Sequence, residues 1–108
     1  MAFTPKKMYV GQPGTSDTLL YTAPTGGAII TEIVVTNTTG TAATVSVAFP
    51  AGASGVDDAE AFAKAYSVAA NDVKVWPLRQ VLGNGETIRA LQGTSSALTI
   101  HISGIEIS

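Results

Sequence analysis

His101 is the only histidine in the 108 residues, and there is no cysteine. Thiolate nucleophiles, disulfides and thiolate metal sites are therefore excluded, and His101 is left as the one imidazole that could act as a general base. It lies between Ile100 and Ile102 and shares its parity with Thr99 and Ser103. Strand alternation places these three on the face opposite the isoleucines, as a polar outward row. No nucleophile motif of the Gly-x-Ser-x-Gly kind accompanies it. Asp57, Asp58 and Glu60 form the one acidic cluster. A calcium site needs six or more oxygens from a shaped loop, and this spacing matches no EF-hand, so the three read as a helix cap or a solvated loop. Nothing favours the paired carboxylates of a glycosidase. Gly11-Gln12-Pro13-Gly14 and Gly83-Asn84-Gly85 do not sit between a strand and a helix, as a phosphate cradle would. Asn37-Thr38-Thr39 matches a glycosylation acceptor but reads as a turn. Trp76, with Tyr9, Tyr21 and Tyr66, could furnish a sugar platform. Flanked by Val75 and Pro77, however, Trp76 reads as a core or interface residue. No catalytic residue, cofactor or metal ligand is assigned, and the chain is expected not to be an enzyme.

The elements that would carry these residues are strands. Turn signals recur every ten or so residues: Gly11 to Gly14, Pro24 to Gly27, Asn37 to Gly40, Pro50 to Gly55, Asn71-Asp72, Gly83 to Gly85 and Gly93 to Ser96. Between them the clearest strands are Ala28–Asn37, Ala42–Phe49, Glu86–Leu91 and Ala97–Ile107, with weaker ones at Lys7–Val10, Thr18–Thr22, Ala65–Ala69 and Val73–Trp76. Val45, Val47, Phe49, Leu98, Ile100 and Ile102 are the predicted core-facing residues. Ile105 and Ile107 take the other parity, which predicts a bulge or local twist at Gly104. Pro77 is expected to interrupt the ladder, leaving Leu78, Val81 and Leu82 in a tight turn. Asp57–Tyr66 is the one helical candidate, and equally a long loop. The spacing predicts an all-β chain: a single antiparallel β-sandwich, jelly-roll-like, of about eight short strands. An N-terminal arm over residues 1–7 precedes a domain over residues 8–108, since Thr4-Pro5 favours extended chain and little there can form a core.

Composition narrows the partners. Only 13% of residues are charged, against about 25% in a typical soluble domain. Such a surface is cheap to desolvate, and charge depletion marks interface cores. The cations Lys6, Lys7, Lys64, Lys74, Arg79 and Arg89 are scattered over a chain of net charge −2. No basic stripe is present for nucleic acid. No apolar run reaches membrane-spanning length, and none follows the first lysines, so no signal peptide is expected. The stretch Ala28–Val35 is apolar on both parities, Ile29, Ile33 and Val35 on one and Ile30 and Val34 on the other. One set is expected to need a second partner, which motivates a homo-oligomer.

Several segments carry a resemblance in their order. Met8-Tyr9-Val10-Gly11-Gln12-Pro13-Gly14-Thr15-Ser16-Asp17 leads to Tyr21-Thr22-Ala23-Pro24, then to Ile29 through Gly40, Val68-Ala69-Ala70-Asn71-Asp72, Val81 through Ile88, and His101 through Glu106. Together they resemble small β-sandwich virion structural proteins of tailed bacteriophages, of the head decoration, minor capsid or tail accessory type. The resemblance covers most of the chain, and the stretch Ala51–Ala65 matches none of it. It implies a non-enzymatic part of the virion, assembled in the bacterial host cytoplasm, with no site residues to carry over. Within that class the expectation is a capsid decoration (cement) protein that contacts the major capsid protein or other virion proteins. A trimer is expected from the symmetry of phage lattices. The alternatives are a tail-associated structural protein and a sugar- or surface-binding module displayed on the virion.

Overall fold

β-Branched residues alternating with small polar ones drive the chain into strands, and among the described residues there is no helix. The computed structural model describes residues 2–50 and 61–107. Its strands are β1 (Phe3–Gly11), β2 (Thr18–Thr22), β3 (Ala28–Asn37), β4 (Ala43–Ala48), β5 (Ala61–Val68), β6 (Val73–Leu82), β7 (Thr87–Gln92) and β8 (Leu98–Ile107). Two antiparallel sheets form, in the orders β1-β8-β3-β6 and β2-β7-β4-β5. This is the jelly-roll arrangement, in which a long hairpin nesting β1 with β8, β2 with β7, β3 with β6 and β4 with β5 is rolled into a sandwich. The predicted sandwich is thus present, and its strand order is now defined.

The facing sheets bury Ile30, Ile33, Val35, Val45, Val47, Ile88, Leu98, Ile100 and Ile102 almost completely. Five of the six predicted core residues are among them. The sixth, Phe49, is half-buried and packs against the same cluster. Two polar residues that enter the interior are well hydrogen-bonded, whereas Thr87 Oγ1 on β7 is buried with no hydrogen-bond partner among the described residues. Gln92 receives the amides of Ala97 and Leu98 on its Oε1 and donates to the Pro13 carbonyl, which ties two loops to β7. Asn37, 1% exposed, donates to the carbonyls of Thr41 and Val68 and accepts from the Thr39 amide and hydroxyl. Asn37 therefore closes the turn, as expected, with its amide fully engaged.

Several expectations change. The ladder does not stop at Pro77, because β6 runs from Val73 to Leu82. β6 is an edge strand, hydrogen-bonded only to β3, and its register slips between the pairs Ile30–Gln80 and Glu32–Pro77. An edge with a bulge is where a strand tolerates proline. The helical candidate Asp57–Tyr66 is strand in its described part, Ala61–Tyr66, where Phe62 and Tyr66 pack on Trp76. Tertiary packing overrides the local pattern there. Asp57, Asp58 and Glu60 lie outside the described residues. The parity of β3 also differs from its sequence reading. An extra residue, Thr31, lies opposite the Ser103–Gly104 step of β8. Ile30 therefore joins Ile33 and Val35 inside, while Ile29 and Val34 face out.

At Gly104 the ladder is irregular toward β3, where Thr31 is the extra residue opposite the Ser103–Gly104 step, and regular toward β1, whose extra residue Met8 lies opposite the Ile102–Ser103 step. β8 itself keeps its alternation, and Gly104 is buried. A Cβ at Gly104 would lie 2.3 Å from the Ile29 carbonyl oxygen and 2.4 Å from Met8 Cε. Glycine is needed here for close packing, and Ile105 and Ile107 point outward without any flip in β8. The segment expected as an arm is, in its described part, the first half of β1. Phe3–Lys7 pairs with Ser103–Ile107, with its side chains exposed.

The two open edges of the sandwich are closed differently. Between β5 and β6 the rings of Phe49, Phe62, Trp76 and Tyr66 stack in series at 5.2–5.3 Å, with Lys74 Nζ 5.7 Å from the Tyr66 ring centre. Between β1 and β2 the Tyr21 hydroxyl donates to Glu106 Oε2 at 2.5 Å, and Lys6 Nζ lies 3.9 Å from Glu106 Oε1. Burial, then the hydrogen bond and charge of Glu106, push the Tyr21 phenol well above its ordinary range.

Candidate interaction surface

The outer face of the β1-β8-β3-β6 sheet is built from the residues that alternate away from the core. Directly paired residues share a face, so the register writes this surface out as rows. One row runs Val81–Ile29–Ile105–Pro5 across all four strands, flanked by the pair Phe3–Ile107. A second runs Val75–Val34–His101–Val10. Between them lies a polar row, Pro77–Glu32–Ser103–Lys7. Phe3 is 65% exposed, Val81 64%, Val73 49%, Val10 47% and Val75 43%. This face thus presents aliphatic side chains where a monomeric sandwich ordinarily carries polar ones.

His101 stands on this face, exposed, between Val10 and Val34. The outward row Thr99–His101–Ser103 is as predicted. Beside it, the small Ser103 and Gly104 leave an open depression rimmed by Pro5, Lys6, Lys7, Thr31 and Ile105. The Thr31 hydroxyl donates to the Ser103 carbonyl across it at 3.2 Å. Among the described residues no three His, Asp or Glu side chains are grouped as a metal site. What the arrangement offers is apolar contact area with a short charged seam.

The aromatic series at the β5–β6 edge is a different surface. Trp76 is half-buried against the core, and its ring meets both Phe62 and Tyr66 edge-on. This packing against the core agrees with the core or interface role read for Trp76. On the opposite sheet, the exposed Leu19 lies beside Arg89, whose charge is met by Asp17 at 3.0 Å. The sequence reading missed Val81, placed in a turn, and gave no role to Lys7 or Glu32. The period-two pattern Val73, Val75, Pro77, Arg79, Val81 was the available signal, and it continues unbroken through the proline.

Comparison of the chain with protein-family models, with curated proteins and with solved structures gave no match in any of the three.

Proposed function

We propose that the chain is a non-enzymatic structural protein of a tailed bacteriophage particle, a capsid decoration protein that stabilises the shell by surface contacts with the major capsid protein or other virion proteins. The observation that carries the reading is the outer face of the β1-β8-β3-β6 sheet, with two rows rich in aliphatic residues, of which Val81, Val75 and Val10 are exposed. Burial of such rows against a neighbour contributes roughly 25 cal/mol for each Å² removed from water. A charge content of 13% keeps the desolvation cost of the remaining surface low. The order of the segments from Met8 to Glu106, which resembles small phage sandwich proteins, supplies the kind of partner. Contacts repeated over a lattice add by multivalency, so each can be weak.

Purification of phage particles from a host expressing the chain tests the reading. The chain is expected to remain with washed, intact particles in many copies and to raise the temperature at which the heads release their contents. Binding to a glycan array with no attachment to particles would replace this reading with a sugar-binding one.

A further inference from the structure

We infer that the outer face of the β1-β8-β3-β6 sheet pairs with the same face of a second copy of this chain, about a two-fold axis running along β8 near Ser103. The inference takes from the proposed function only that this face is a contact surface; a face covered by a second copy is closed to the capsid, so the two occupants compete for it. Its basis is the polar row. Lys7 and Glu32 are both exposed, both directly opposite Ser103, and on opposite sides of β8. They are therefore two strand spacings apart, about 10 Å. No hydrogen bond or ion pair joins either side chain to another described residue, whereas Lys6 has Glu106 and Arg89 has Asp17.

Two copies of one sheet face can meet about an axis along the strands or across them. An axis across the strands, through this row, sets Glu32 against Glu32 and Lys7 against Lys7. An axis along β8 exchanges the two flanks, so that each Glu32 meets the Lys7 of the other copy, twice over. The same operation lays Ile105 on Ile105, Ile29 on Pro5 and Val34 on Val10. Arg79, on β6, falls outside the overlap and meets no like charge. An isologous contact requires this kind of self-complementarity.

The overlap covers β1, β8 and β3, about 14 Å across, and the ten residues of β8 span about 33 Å. That gives on the order of 500 Å² from each copy, near the lower bound for a specific interface, so the pair is weak and forms at high concentration.

Sedimentation equilibrium of the full chain at low salt, over a range of concentrations, tests this. The expected result is a monomer–dimer equilibrium. Glu32→Lys alone and Lys7→Glu alone each place two like-charge contacts in the interface and weaken it about tenfold. Glu32→Lys combined with Lys7→Glu restores association to within about threefold of the starting chain. Both positions are exposed, and thermal melts confirm that the variants fold. A chain that stays monomeric at the highest concentration, a trimer in place of a dimer, single variants that pair normally, or a double variant as weak as the singles overturns the inference. A chain that pairs in solution and never joins a particle contradicts the virion reading and leaves the pairing intact; a chain that stays monomeric in solution at the highest concentration yet joins particles does the reverse.

Discussion

Gly104 shows how one missing side chain sets local geometry. The Ile29 carbonyl and Met8 occupy the space a Cβ would need. A Gly104→Ala variant must therefore move backbone, and it is expected to lose about 1–3 kcal/mol of stability, the usual cost of overpacking. Gly40, whose Cβ would meet nothing within 4 Å, provides the contrast: Gly40→Ala should stay within about 0.5 kcal/mol. Urea unfolding of the two variants measures both. Tyr21 makes a pH-dependent statement. Its folded phenol titrates above the ordinary value because it is partly buried and donates to Glu106. The unfolded phenol ionises near about pH 10. A group raised on folding gives its full stabilisation below that pH and loses it as the pH rises toward the folded value. Stability is thus expected to fall as the pH rises above about 10, measured as urea midpoints. Tyr21→Phe should flatten that fall, leaving a smaller slope from Tyr9, which burial also raises.

At the scale of the strands, Val47 of β4 is 1% exposed and lies directly opposite Ala63 and Ala90. Val47→Asp places a carboxylate in the core without a partner, at a cost of several kcal/mol. The variant is expected to be unfolded by circular dichroism; a soluble variant with a normal melt contradicts the register of β4. The first half of β1 makes the opposite prediction. Phe3–Lys7 is an edge paired on one side only, with its side chains in water. Its amides should exchange with solvent far faster than those of β3 and β8, which are paired on both sides. Equal protection in these segments would show that something covers the edge. The bounds of two strands were legible in the sequence: Ala28–Asn37, read as clear, and Thr18–Thr22, read as weaker, match the structure end to end. Three features were not. The bulge at Thr31 carries no glycine to mark it, so the parity of Ile29 and Ile30 was read the wrong way round. β6 hides behind Pro77, whose tolerance depends on β6 being an edge, a property of the sheet order. β5 owes its extended form to Trp76 on another strand, which a local pattern cannot report.

Seen whole, the molecule is a jelly roll whose interior needs are met within the chain, while the outer face of one sheet retains aliphatic rows. The excess was legible as Ala28–Val35 being apolar on both parities. Its assignment to one face needed the register, because Val81, Val75, Val10 and Phe3 come from strands far apart in sequence. A protein that works through such a face needs no reactive group. It needs rigidity, which the doubly paired β3 and β8 at the centre of the sheet supply, and a partner presented many times over. The proposed function requires attachment to a phage particle. Density-gradient purification of intact particles, followed by quantitative mass spectrometry of their proteins, tests it most directly. The chain is expected in the washed particle band, in many copies per particle and in constant ratio to the major capsid protein. Particles that are complete and infectious with none of the chain in the band, while it stays free in the lysate, would contradict it.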